Sequence, residues 1–91
     1  GEFEWKGVRF CWNHHRAALK GNLLLSNKSY WFLVRETGSG TWESWCEFEG
    51  GYTAACVMAT RELALEGSVV ALKDFLQTSI KDLERYEEIY R

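Results

Sequence analysis

Apolar and polar positions along the first half of the chain alternate with a period of two. Val8, Phe10 and Trp12 alternate with Arg9 and Cys11, which predicts a first strand within Phe3–Trp12, with a bulge at Lys6-Gly7 that returns Phe3 and Trp5 to the packed side. Asn13-His14-His15 reads as a turn, and Leu19–Leu25 as a second strand. Asn27-Lys28-Ser29 turns the chain into Tyr30–Glu36, an aromatic and β-branched run. Thr37-Gly38-Ser39-Gly40 is a hairpin loop by composition, and its second arm is Thr41–Glu49.

The period then changes. Gly50-Gly51 ends the alternation, and Tyr52–Glu66, rich in alanine, reads as a helix with Thr53 as its cap and a small-residue surface for close packing. Gly67 ends that helix and Ser68 caps a second, Ser68–Tyr90, whose stripe is Val69, Leu72, Leu76, Ile80 and Leu83. The expected fold is therefore α+β: a four-stranded antiparallel meander followed by two helices packed on one face. The chain is one domain, with the sheet in 4–49 and the helices in 52–91.

This arrangement leaves one sheet face bare. Val8, Phe10, Trp12, Leu23, Leu25, Tyr30, Phe32, Val34, Trp42, Cys46 and Phe48 fall on the helix side. The other side shows Arg9, Cys11, Leu24, Trp31, Leu33, Arg35, Glu43, Trp45 and Glu47. Two tryptophans and two leucines on an uncovered face form a patch of the kind that meets a partner. The last helix, at roughly 33 Å, outruns strands of roughly 20–23 Å. Its end carries the apolar stripe on through Tyr86, Ile89 and Tyr90, which are expected to pack on a partner.

Composition adds little to the fold and something to the setting. The 91 residues are 46% hydrophobic, 26% charged and 15% aromatic, with five Trp and no Pro, which suits a sheet-based globular domain and no membrane span. The net charge of −2 divides into +2 over residues 1–46 (six Lys/Arg against four Glu) and −4 over 47–91 (five against nine Asp/Glu), which argues against general affinity for polyanions. Three widely spaced cysteines, an odd number, fit free thiols in a reducing, intracellular compartment. The opening Gly-Glu-Phe looks like a cloning remnant, so the chain reads as a fragment of a longer protein.

Candidate chemistry is sparse. Cys11-x-x-His14 has the spacing of two zinc ligands, but no second pair accompanies it, so no metal or cofactor is expected. The same Cys–His pair lacks a third group to orient a base, because Asp74 and Asp82 lie on the long helix. Glu43 and Glu47 share a strand face about 7 Å apart, a separation usable by a two-carboxylate hydrolase, although an open face solvates carboxylates instead. No enzyme activity is expected.

Phe32-Leu33-Val34-Arg35-Glu36 resembles the phosphate-gripping strand of Src-homology-type phosphotyrosine-binding domains. That resemblance implies an inward-pointing Arg35 that pairs with phosphate. Four strands followed by a helix is also similar to the repeat of Whirly-type and Pur-type nucleic-acid proteins, which implies a single-strand-binding sheet using Lys6, Arg9, Trp31, Arg35 and Trp45. Glu43 and Glu47 beside Trp45 oppose phosphate there. The leading expectation is a non-catalytic domain that binds another protein or a second copy of itself, through Trp31, Leu33, Arg35 and Trp45 together with Tyr86, Ile89 and Tyr90.

Overall fold

A computed structural model describes the backbone of residues 2–89 and the side chains of residues 2–77. The fold is α+β, one antiparallel sheet with a single helix packed on it. Five strands follow one another in space as in sequence: β1 (Glu2–Trp5), β2 (Val8–Asn13), β3 (Ala18–Leu25), β4 (Lys28–Glu36) and β5 (Trp42–Phe48). Two short strands, β6 (Gly51–Tyr52) and β7 (Cys56–Met58), share the remaining edge of β5.

Two-residue turns set the register. Trp5 pairs with Val8 across Lys6-Gly7, whose φ values of 49° and 80° are the left-handed pair that a right-twisted hairpin requires. The expected bulge at Lys6-Gly7 is therefore a turn, and Glu2–Trp5 becomes a strand of its own. Leu25 pairs with Lys28 across Ser26-Asn27, at 50° and 63°, so the turn falls one residue before the expected Asn27-Lys28-Ser29.

The region after Gly50 departs most from the expected order. Glu49-Gly50 is itself a tight turn, with Gly50 at φ 93°, and it returns Gly51 to pair with Phe48. Strand pairing then continues where a helix over Tyr52–Glu66 was expected. Thr53 is not a helix cap: its amide donates to Cys46 O (2.8 Å), and its hydroxyl accepts the Cys46 amide (2.9 Å). That hydroxyl stands in for a main-chain carbonyl across a bulge, because Tyr52 pairs with Glu47 whereas Cys56 pairs with Ser44, one residue out of step.

One helix follows, not two. α1 (Arg61–Ile89) starts at Thr60, whose hydroxyl accepts the Leu63 amide (3.2 Å). It then runs through Gly67-Ser68 without a break. Ser68 Oγ donates to Leu65 O (2.7 Å), so its hydroxyl is satisfied inside the helix and caps nothing. Gly67 is there because the helix passes close to β7: a Cβ on residue 67 would collide with Cys56 Sγ and lie 3.0 Å from Cys56 Cβ.

The core lies between α1 and the sheet. Phe10, Tyr30, Phe32, Val34 and Cys46 meet Ala64, Leu65 and Leu72, and each large apolar side chain buried here contributes about 1.5–3 kcal/mol. The strand registers place all eleven expected inward positions on this side. The helix crosses β4, β5 and β7, so the helix-side surface of β1–β3 is only partly covered. A groove of about 460 Å³ remains there, with Trp5, Val8 and Leu23 facing Val69, Val70 and Leu76. The 29 residues of α1 span about 43 Å, more than the nine-residue β4 at about 30 Å. The packing expected of Tyr86, Ile89 and Tyr90 lies outside the described residues. Among the described residues no helix is long and apolar enough to cross a membrane.

Candidate binding face

The side of the sheet away from α1 carries Cys11, Lys20, Leu33 and Trp45 in one cross-strand row, in register from β2 to β5. A second row runs Asn22, Trp31, Glu47 and Tyr52. A third pairs Arg35 with Glu43 and then Val57. Strand alternation alone puts these residues together.

Leu33 is fully buried although α1 packs on the opposite face of the sheet. Its neighbours roof it: Lys20 and Trp45 stand opposite it on the two adjacent strands. Cations close the roof further. Lys20 Nζ lies 4.8 Å from the Trp31 ring centre, and the Arg35 guanidinium 5.1 Å from that of Trp45. Long aliphatic stems thereby cover apolar surface while the charged ends stay wet. Trp31 remains 39% exposed and Tyr52 77% exposed, whereas Trp45 is half-buried. Beside Trp45 a shallow concavity of about 320 Å³ is floored by Arg35, Glu43, Glu47 and Tyr52.

Arg35, Arg16, Glu43 and Glu47 on this face are paired. Arg35 Nε donates to Glu43, and its Nη1 donates to the main-chain oxygen of Arg16 (3.3 Å). Arg16 enters from the β2–β3 loop, which is held by its amide donating to Asn13 Oδ1 (2.8 Å), and its Nε reaches Glu47 (3.1 Å). Trp45 Nε1 donates to the same carboxylate (3.1 Å). Partial burial pushes the Glu47 carboxyl up, but hydrogen bonds from Trp45 and Arg16 and the charges of Arg16 and Lys20 outweigh it. The net result is a pKa below the usual carboxylate value. Glu43 and Glu47 are each engaged by an arginine.

Of the expected partner-binding set, Trp31, Leu33, Arg35 and Trp45 share this face, with Leu33 beneath the others. Arg35 points outward, not inward as the phosphotyrosine-domain resemblance implies. Of the nucleic-acid set, Arg9 is on this face but bound to Glu2 (2.8 Å), and Lys6 sits at the β1–β2 turn over the Trp5 ring (5.0 Å). Arg16, Lys20 and Tyr52 were not singled out from sequence. Tyr52 opens the alanine-rich stretch whose composition suits a helix, and Arg16 gains its position only through the loop. The signal for Lys20 was available, since it alternates with Leu19 on the second strand.

Cys11 Sγ lies 3.8 Å from Glu2 Oε1, while His14 packs edge-on against Trp12. Among the described residues no group of three or more His, Cys, Asp or Glu side chains is placed to hold a metal ion. Cys46 is buried in the core, and that burial, with the Glu47 charge, pushes its thiol pKa up to about 12. Compared with protein-family models, curated proteins and solved structures, the chain matches none.

Proposed function

We propose that the domain is a non-catalytic binding module whose outer sheet face docks another protein or a second copy of the chain. The observation that carries this reading is the uncovered cluster of Trp31, Trp45 and Tyr52, set among arginine–carboxylate pairs that cancel locally. Aromatic anchors ringed by balanced charge suit a protein surface. A polyanion would have to displace Glu43 and Glu47 from Arg35 and Arg16 to reach them, so the nucleic-acid reading is the weaker one.

The test is recovery of partners from a cell extract by the wild-type domain and by Trp31→Ala/Trp45→Ala. A protein held by the first and lost by the second supports the reading, and equal recovery removes this face. A labelled single-stranded oligonucleotide bound at low salt, and released steeply as salt rises, would instead favour nucleic acid.

A further inference from the structure

We infer that β7 is a self-pairing edge, through which two copies of the domain join antiparallel across a two-fold axis and continue the sheet from one into the other. Among the described residues β7 pairs only with β5, so its far side presents an open row of amide and carbonyl groups. Such a row is a template for another strand, and sheet edges are ordinarily guarded by charge or proline.

The two edges of this sheet differ in that respect. β1 carries Glu2 and Glu4, so two copies meeting there would set carboxylate against carboxylate. From Gly50 to Thr60 there is neither a charged residue nor a proline. Val57, 53% exposed, projects on the outer side of the sheet, and Met58, 42% exposed, projects on the helix side. Apolar surface thus flanks the open backbone on both faces.

The helix adds a third element. Gly67 lies against Cys56, and Leu63, one turn earlier on the same side of α1, is 49% exposed. In an antiparallel pair centred on Val57, Cys56 of one copy stands opposite Met58 of the other, with no like charges opposed. The identical edge therefore satisfies both the backbone and the apolar flanks, and β7 itself carries no charge to be opposed by its copy. The bulge at Thr53 keeps the paired stretch short, so affinity comes chiefly from Val57, Met58 and Leu63. Val57 adjoins the outer face beside Glu43, whereas Met58 lies on the helix side with Leu63, away from Trp31 and Trp45; neither reading depends on the other.

Sedimentation velocity over a micromolar concentration series decides it. The wild-type chain is expected to pass from monomer to dimer. Val57→Lys, which sets lysine against lysine across the axis, and Met58→Lys, which sets a charge against the apolar flank at Cys56, should each raise the dissociation constant at least about tenfold. Glu4→Gln, on the far edge of the sheet, should dimerise as the wild type does. In a Cys11→Ser/Cys56→Ala background, a nitroxide on Val57→Cys gives a second reading that needs no loss of binding: a short distance between copies is expected there and a long one from Glu4→Cys. A monomer at every concentration, a dimer untouched by both lysine variants, or a shorter distance at residue 4 than at residue 57 would each overturn the inference.

Discussion

The Cys56 side chain fills the space that a Cβ on Gly67 would need. Replacing glycine by alanine in a helix ordinarily stabilises by about 1 kcal/mol. Here the sign reverses. Rotating the sulfur away relieves part of the overlap, but Cys56 Cβ stays 3.0 Å from the new atom and is fixed by the strand. Gly67→Ala is expected to destabilise by about 1–3 kcal/mol in urea unfolding, and Cys56→Gly in the same chain should restore most of that loss.

Thr53 holds the bulge between β6 and β7. Thr53→Val keeps the shape but removes the acceptor of the Cys46 amide, which lies in the core. The expected cost is about 1–3 kcal/mol. Thr53→Ser, which keeps the hydroxyl, should cost less than half as much in the same thermal or urea measurement.

The three thiols should separate by reactivity toward a disulfide reagent. Cys11 is exposed and is expected to react first. Cys46 is fully buried with its thiol pKa pushed up to about 12, so it should react only as the protein unfolds. Cys11→Ser should abolish the fastest phase and leave both the slower one of partly exposed Cys56 and the unfolding-limited one unchanged.

The Glu47 carboxyl titrates lower in the folded chain than in the unfolded one, so the folded state binds fewer protons through the acid range. Its contribution is present above the unfolded carboxylate value, about 4.3, and is lost as pH falls through the lower folded value. Because Arg16 and Glu47 are both partly exposed, the size is limited to about 0.5–1 kcal/mol. Urea unfolding should show Glu47→Gln less stable than wild type at pH 7, with the gap closing in acid and shrinking in high salt.

Which residues face which side was legible in the sequence, because alternation reports the pleat directly. From Val8 to Phe48 every assigned position lies on its expected side, and Trp31, Arg35 and Trp45 share the face on which they were placed. The order after Gly50 was not legible. Alanine-rich, uncharged residues 52–59 suit a helix as well as an edge strand, and the turn at Glu49-Gly50 decides between them. Gly67-Ser68 has the local signature of a helix junction, and only contact with Cys56, eleven residues earlier, gives the glycine its other meaning. The burial of Leu33 was equally hidden, since it depends on how Lys20 and Arg35 lie across the neighbouring tryptophans.

From β1 to β6 each strand lies beside its predecessor, and β7 returns to β5, so strand order in space repeats strand order in time. As the chain emerges during synthesis, each new strand finds its neighbour already present, joined by a short loop whose closure costs little entropy. Assembly can therefore proceed from the first hairpin outward, and such short-range pairing favours rapid folding. The helix emerges after the strands it packs on, β4, β5 and β7, so until it docks, the apolar side of the growing sheet stays open to water.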